Sequence, residues 1–183
     1  FVYLTALAPT VSFRDSGDLI ASSYVLGISH PSGFPLFMIL GKIFSFIPIS
    51  TIAYRINLMS ALFAALTIVL VFFTVKKLTG EILRLSPHDD KNIFIAIIAS
   101  VFLGFSVTFW TYAEFGEKYS LYAFLSSALI LAAVNIKKEY IAVYLFLFGI
   151  AITHHIAIIV FLIPSFYLLY KTINKKYLNI FKN

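Results

Sequence analysis

Residues 52–75, IAYRINLMSALFAALTIVLVFFTV, constrain this chain more than any other stretch: after Arg55 and Asn57 no charge appears until Lys76-Lys77. As an α-helix the run is about 36 Å long at 1.5 Å per residue, more than the roughly 30 Å of bilayer hydrocarbon. It reads as a transmembrane span. Further apolar runs at 93–112, 119–136, 140–153 and 156–171 repeat the pattern, and residues 1–9 read as the outer end of a partial span. Composition agrees, with 61% hydrophobic and 12% charged residues and a mean hydropathy of +0.95, a charged fraction about half that of ordinary soluble domains. The expected fold is all-α, a polytopic transmembrane helical bundle forming one module over residues 1–183. Because the first residue is Phe and the opening run cannot span a bilayer, the chain is expected to be a fragment of a longer protein that begins inside a helix.

Two segments are too short to cross. Residues 36–47, LFMILGKIFSFI, carry Lys42 and stop at Pro48, so they suit an interfacial or re-entrant helix within an external loop spanning 10–51. The runs 140–153 and 156–171 meet at His154-His155. One continuous helix there would be about 48 Å long, whereas two of about 21 to 24 Å make a hairpin whose histidine tip is recessed below the membrane surface. Residues 79–91, TGEILRLSPHDDK, read as a loop. Alternating the loops puts Lys76, Lys77, Arg84, Lys91, Lys137, Lys138, Lys171, Lys175, Lys176 and Lys182 on one side, and Arg14, Lys42, Arg55 and Lys118 on the other. The first side is then cytoplasmic by the positive-inside rule. Residues 13–37, the turn at 114–118 and the His154-His155 tip share the external side.

The stretch 13–37, FRDSGDLIASSYVLGISHPSGFPLF, concentrates polar chemistry that is scarce elsewhere. Asp15 sits where a helix N-cap would, Asp18 in the capping-box position, and Gly27 where a left-handed stop is expected near Leu26. His30-Pro31 through Phe34-Pro35 form a stiff turn, and Pro35 can open the next helix. A carboxylate in such a pocket can take the proton from an attacking hydroxyl. Asp15 is the first choice for that base, with Asp18 beside it to orient the loop. His30, Arg14 and Lys118 can contact or neutralise a phosphate. Arg55, Glu114, Glu117, His154 and His155 complete the candidate substrate-binding set, with at most one of the adjacent histidines facing the site.

Several classes are excluded or weakened. With no cysteine there is no disulfide and no thiolate ligand or nucleophile. The net charge of +6 follows the flanks of apolar spans, where topology and anionic membrane lipids account for it better than nucleic acid. No ligand spacing such as HxxxH is present, so a divalent metal is the weaker reading and no metal ligand is assigned.

The motifs Leu7-Ala8-Pro9-Thr10-Val11, Asp15-Ser16-Gly17-Asp18, the turn LGISHPSGFPL from Leu26, AYRINL from Ala53 and Glu117-Lys118-Tyr119-Ser120-Leu121 resemble a bacterial family of multi-pass proteins within the glycosyltransferase C superfamily, related to protein O-mannosyltransferases. The resemblance covers most of this chain and the N-terminal module of a family member. It implies a polyprenyl-phosphate sugar as donor substrate, a protein or glycan hydroxyl as acceptor, inversion at the sugar carbon, and an acidic base in the first external loop, which falls on Asp15. It also implies residence in the bacterial inner membrane with the site facing outward. Departures are Ser32 for a proline, Arg14 for an aromatic, and an Ala113-Glu114 pair displaced from the turn, which leaves open whether Glu114 or Glu117 is the equivalent acid.

The alternative from another class is a transporter or permease with an external acidic pocket, in which Asp15, Asp18 and the histidines relay protons or hold solute. No inverted repeat is evident, and the carboxylates gather at one face instead of the midplane. A noncatalytic membrane scaffold would leave the polar stretch without a purpose.

Overall fold

A computed structural model of the chain describes residues 1–84, 86, 89–135, 141–164, 166, 167 and 170. Among them every regular element is helical: α1 (Val2–Thr5), α2 (Ser16–Val25), α3 (Pro35–Ser45), α4 (Ile52–Ile82), α5 (Asp90–Gly104), α6 (Val107–Ala113), α7 (Lys118–Val134), α8 (Ile141–His154) and a 3₁₀ helix, Ile156–Phe161. The expected span ends at 136, 140 and 171, together with Pro87, Lys137, Lys138, Glu139, Lys171, Lys175, Lys176 and Lys182, lie outside the described residues.

The axis is α4. Thr51 opens it by accepting the Tyr54 N–H at 3.1 Å, and its buried face reads Ala53, Ile56, Asn57, Ser60, Ala61, Ala64, Thr67 and Thr74. That spacing is helical, and its small side chains let neighbouring backbones approach closely. Helices α7 and α5 pack along it. On one side a core of Leu19, Phe37, Ile56, Met59, Leu121 and Leu129 joins α2, α3, α4 and α7. On the other, Tyr3 and Leu7 pack with Ala61, Ala64 and Ala113.

Only α4 among the described helices is long and apolar enough to cross a membrane alone. It runs past the expected end at residue 75 and takes in the first four residues, 79–82, of the segment expected as a loop. Thr79 Oγ1 turns back to the Val75 carbonyl (2.8 Å), and Lys77 pairs with Glu81 one turn on (2.9 Å), so polar residues that resemble a loop continue the helix. The expected single span 93–112 is instead two helices, α5 and α6, bent by 66°. At the break the Gly104 carbonyl takes the Tyr3 hydroxyl at 2.7 Å and Ser106 Oγ donates to the Leu103 carbonyl at 2.8 Å. Those acceptors are thereby satisfied outside the helical ladder, which lets the chain turn.

The chain does break at His154-His155. Helix α8 ends there, His155 is extended (φ −149°) and caps the 3₁₀ helix by accepting the Ala157 N–H. Phe161 and Pro164 lie beside Tyr144 around one small apolar cavity, so the two arms fold back on each other.

Candidate functional site

Asp15 precedes α2 but leaves the cap position unused, because no side-chain cap bond forms. Its carboxylate turns to Lys118 Nζ. Asp18 does not close a capping box either. Its Oδ1 accepts from Ser22 Oγ (3.2 Å), and its Oδ2 accepts from Ser29 Oγ (2.6 Å), the His30 N–H (3.1 Å) and His30 Nδ1 (2.7 Å). The left-handed stop falls on Leu26 (φ 54°) instead of Gly27, and the turn's remaining left-handed residues are Gly33 and Phe34. Asp18 thus ties this turn to α2 and fixes the imidazole with Nδ1–H toward the carboxylate. His30 Nε2 is left facing Asp15 Oδ2 (3.4 Å) and Lys118 Nζ (3.3 Å).

The second part comes from the start of α7. Asn57 on α4, fully buried, donates from Nδ2 to the carbonyls of Ala8 (2.7 Å) and Thr10 (3.0 Å) and accepts the Gly116 N–H at Oδ1 (2.7 Å). A Cβ on Gly116 would meet Ile20, Ile56 and Asn57 at 3.2 to 3.3 Å, so the turn's close approach to α4 favours glycine. Ser60 Oγ accepts the Glu117 N–H (3.3 Å). These bonds seat Glu117 and Lys118, which are 0% and 5% exposed, against the α2 loop. Glu117 Oε1 accepts the Asp15 N–H (3.2 Å), a link across 102 positions. Arg14, held left-handed (φ 58°), contacts the Tyr112 hydroxyl and lies over its ring at 5.1 Å.

The hairpin tip supplies the third part. His154 is 1% exposed and donates from Nε2 to the Lys118 carbonyl (3.0 Å). His155 stacks near Tyr122 (5.0 Å). Phe34 is the hub, with Lys118 Nζ 5.1 Å from its ring and His30, His154 and His155 at 5.3, 6.0 and 6.0 Å.

Electrostatics divide the acids. The Lys118 ammonium hydrogen-bonded to Asp15 holds that carboxyl below the ordinary range, and bonds from Ser29 and His30 pull Asp18 well below it. Burial pushes Glu117 up against the pull of Lys118, and its Oε2 has no hydrogen-bond partner. The Lys118 ammonium is 3.9 Å from that oxygen. The arrangement offers a half-exposed carboxylate with a cation and an imidazole nitrogen within reach of the same oxygen. It suits proton removal beside a developing negative charge. No group of three or more metal-ligating side chains occurs among the described residues.

Residues 14, 15, 18, 30, 117, 118, 154 and 155 therefore come together. Arg55 does not join them: Nε, Nη1 and Nη2 donate to the carbonyls of Ile49 (2.6 Å), Ser45 (2.7 Å) and Ser50 (3.0 Å), closing the loop between α3 and α4. Glu114 contributes its backbone carbonyl, which accepts the Ala8 N–H at 2.9 Å, so Glu117 is the acid beside Asp15. Phe34, Asn57, Tyr112 and Tyr119 escape a reading of the sequence for charge. Asn57 stood in the AYRINL motif, two positions from the arginine that drew attention, while nothing marked Phe34 among twenty phenylalanines.

Residues 15–179 match the model of a family described as the protein O-mannosyl-transferase TMEM260 N-terminal domain. Among curated proteins, the protein O-mannosyl-transferase TMEM260 of Mus musculus is 33% identical over 121 residues, covering 66% of this chain and 16% of that protein. The corresponding protein of Dictyostelium discoideum is 30% identical over 123 residues, covering 66% of this chain and 14% of that one. The chain thus aligns with about a sixth of the length of these relatives. No solved structure matches significantly.

Proposed function

The chain belongs to the family of the protein O-mannosyl-transferase TMEM260 N-terminal domain, and from that membership we propose that it is the donor-and-base module of a polytopic membrane glycosyltransferase of the glycosyltransferase C superfamily. The enzyme moves mannose from a polyprenyl phosphate to a protein hydroxyl on the external side of the membrane, the bacterial inner membrane. Relatives named protein O-mannosyl-transferases support the chemistry. The apolar outer faces of α5 and α8, with Phe102 and Phe146 79% and 68% exposed, support the membrane setting.

In the proposed reaction the acceptor hydroxyl gives its proton to Asp15 as its oxygen attacks the anomeric carbon. The bond from that carbon to the phosphate oxygen breaks with inversion, and the electron pair leaves on the lipid phosphate. Arg14 and Lys118 take up the phosphate charge, with the His30 ring beside them. Lys118 rests on Asp15 before donor arrives, and an incoming phosphate competes for the same ammonium. Asp15 then regains basicity as the donor is seated.

One observation carries this reading: residues 15, 30 and 118, far apart in sequence, put a carboxylate, an imidazole nitrogen and an ammonium within hydrogen-bonding reach of one another. Asp15→Asn in the purified full-length protein is the test, with labelled polyprenyl-phosphate mannose as donor. Loss of a general base lowers turnover about 10²- to 10⁴-fold with donor binding retained. Near-normal transfer by the folded variant would remove Asp15 from the base role.

A further inference from the structure

We propose that the cleft inside the α5–α6 elbow is the subsite for the first isoprenoid units of the donor's tail, an inference that rests on the polyprenyl-phosphate reading above. The cleft has a volume of about 310 Å³, within the range of small-molecule sites. It exists because the 66° bend opens α6 away from the line of α5. Leu103, Thr108, Phe109 and Tyr112 of the elbow line it together with Tyr119, Tyr122 and Ala123 of α7.

Its position selects the occupant. Tyr112 and Tyr119 line the cleft and also belong to the polar cluster: their rings are 4.5 Å apart, Arg14 lies 5.1 Å from the first and Lys118 Nζ 5.2 Å from the second. An apolar cleft with a cation behind each of two lining tyrosines matches a molecule that is a phosphate at one end and hydrocarbon beyond it. Two further cavities among the described residues lack this pairing. One of about 210 Å³ beside Tyr3 and Trp110 shares no lining residue with the polar cluster or the tyrosines beside it. Another of about 530 Å³ has Lys76 and Lys77, but lies at the far end of α4 and shares no residue with the cluster. A polyprenyl tail in the bilayer is already out of water, so the cleft selects the first isoprenoid units by packing and shape and not by transfer from water. It also fixes the direction in which the leaving phosphate points.

The test uses the full-length protein in lipid nanodiscs and a two-isoprene phosphate carrying a diazirine on its second unit. Photolabelling at subsaturating probe, competed by unlabelled polyprenyl phosphate, is expected on the elbow and the first turns of α7. Ala123→Trp fills the cleft from α7 and is expected to cut the competed labelling about tenfold or more. Thr108→Trp does so from the exposed side of α6, where a folding defect is less of a concern. Competed labelling mapped to α3 or α8, or labelling undiminished in either folded variant, overturns the tail subsite while leaving a lipid-phosphate donor standing. Absence of any competed labelling in the wild-type protein overturns both.

Discussion

Lys118 is 5% exposed and its ammonium rests on Asp15, flanked by His30 Nε2 and Glu117 Oε2. A carboxylate held low in this way is a weak base, so the rate should depend on how firmly Lys118 grips it. Lys118→Met is expected to let the Asp15 carboxyl rise toward its ordinary value of about 3.9, moving the acid limb of the pH–rate profile to higher pH. A limb that stays in place, in a variant that still turns over, would detach Lys118 from the base. The same shifts govern stability. Asp15 and Asp18 are lowered on folding, so their contribution is complete above an unfolded pKa of about 3.9 and is lost as pH falls through the lower folded values. Glu117 is raised, so its contribution is complete below about pH 4.3 and is lost as pH rises through its folded value. Thermal midpoints of Asp18→Asn measured against pH should show a flatter acid arm than the wild type. An acid arm as steep as before would mean that other groups carry it.

The elements hold the site through a few buried bonds, and the best target is Asn57. Asn57→Ala leaves the carbonyls of Ala8 and Thr10 and the N–H of Gly116 without their partner. At about 1 to 3 kcal/mol for the buried Gly116 N–H left unsatisfied, and less for the two part-buried carbonyls, the variant is expected to lose several degrees of thermal midpoint. It should also lose activity, since the Gly116–Lys118 turn is released from α4. A midpoint within a degree of wild type would show that water takes over those bonds. Much of the element pattern was legible. Pro35 opens α3, α4 begins at the expected residue, and α8 stops at the double histidine. What escaped was tertiary in origin. Hydropathy is continuous across Gly104–Ser106, so the bend there depends on Tyr3, 101 positions away. The end of α4 lies beyond the expected one because Thr79 and Glu81, loop-like by residue type, are held within the helix by a hydrogen bond and an ion pair. The gathering of residues 13–37, 114–118 and 154–155 was legible from alternating loops alone, but which glutamate met Asp15 was not. That depended on Ser60 and Asn57 choosing the turn around Gly116.

At the scale of the whole molecule, α4 sets the distance between two chemistries. Its 31 residues span about 46 Å at 1.5 Å per residue, more than the roughly 30 Å of hydrocarbon. Its start carries the polar cluster through Asn57 and Ser60, and its end carries Lys76 and Lys77 beside the 530 Å³ cavity. The cations at the two ends differ in their partners. Arg14, Lys42, Arg55 and Lys118 are engaged with Tyr112, the Tyr24 carbonyl, loop carbonyls and Asp15, whereas Lys77 pairs with Glu81 within its own helix and, with Lys76, borders an open cavity. This stretch has no cysteine, so a single cysteine placed in it, with any cysteine elsewhere in the full-length protein replaced, reports topology without background. Ser32 on the exposed turn and Glu81 near the end of α4 are both surface residues. In intact cells Ser32→Cys is expected to react with an impermeant maleimide, and Glu81→Cys only after permeabilisation. Labelling of both from the same side would place the two ends of α4 in one compartment, and the transmembrane reading of that helix, with the external site built upon it, would fall.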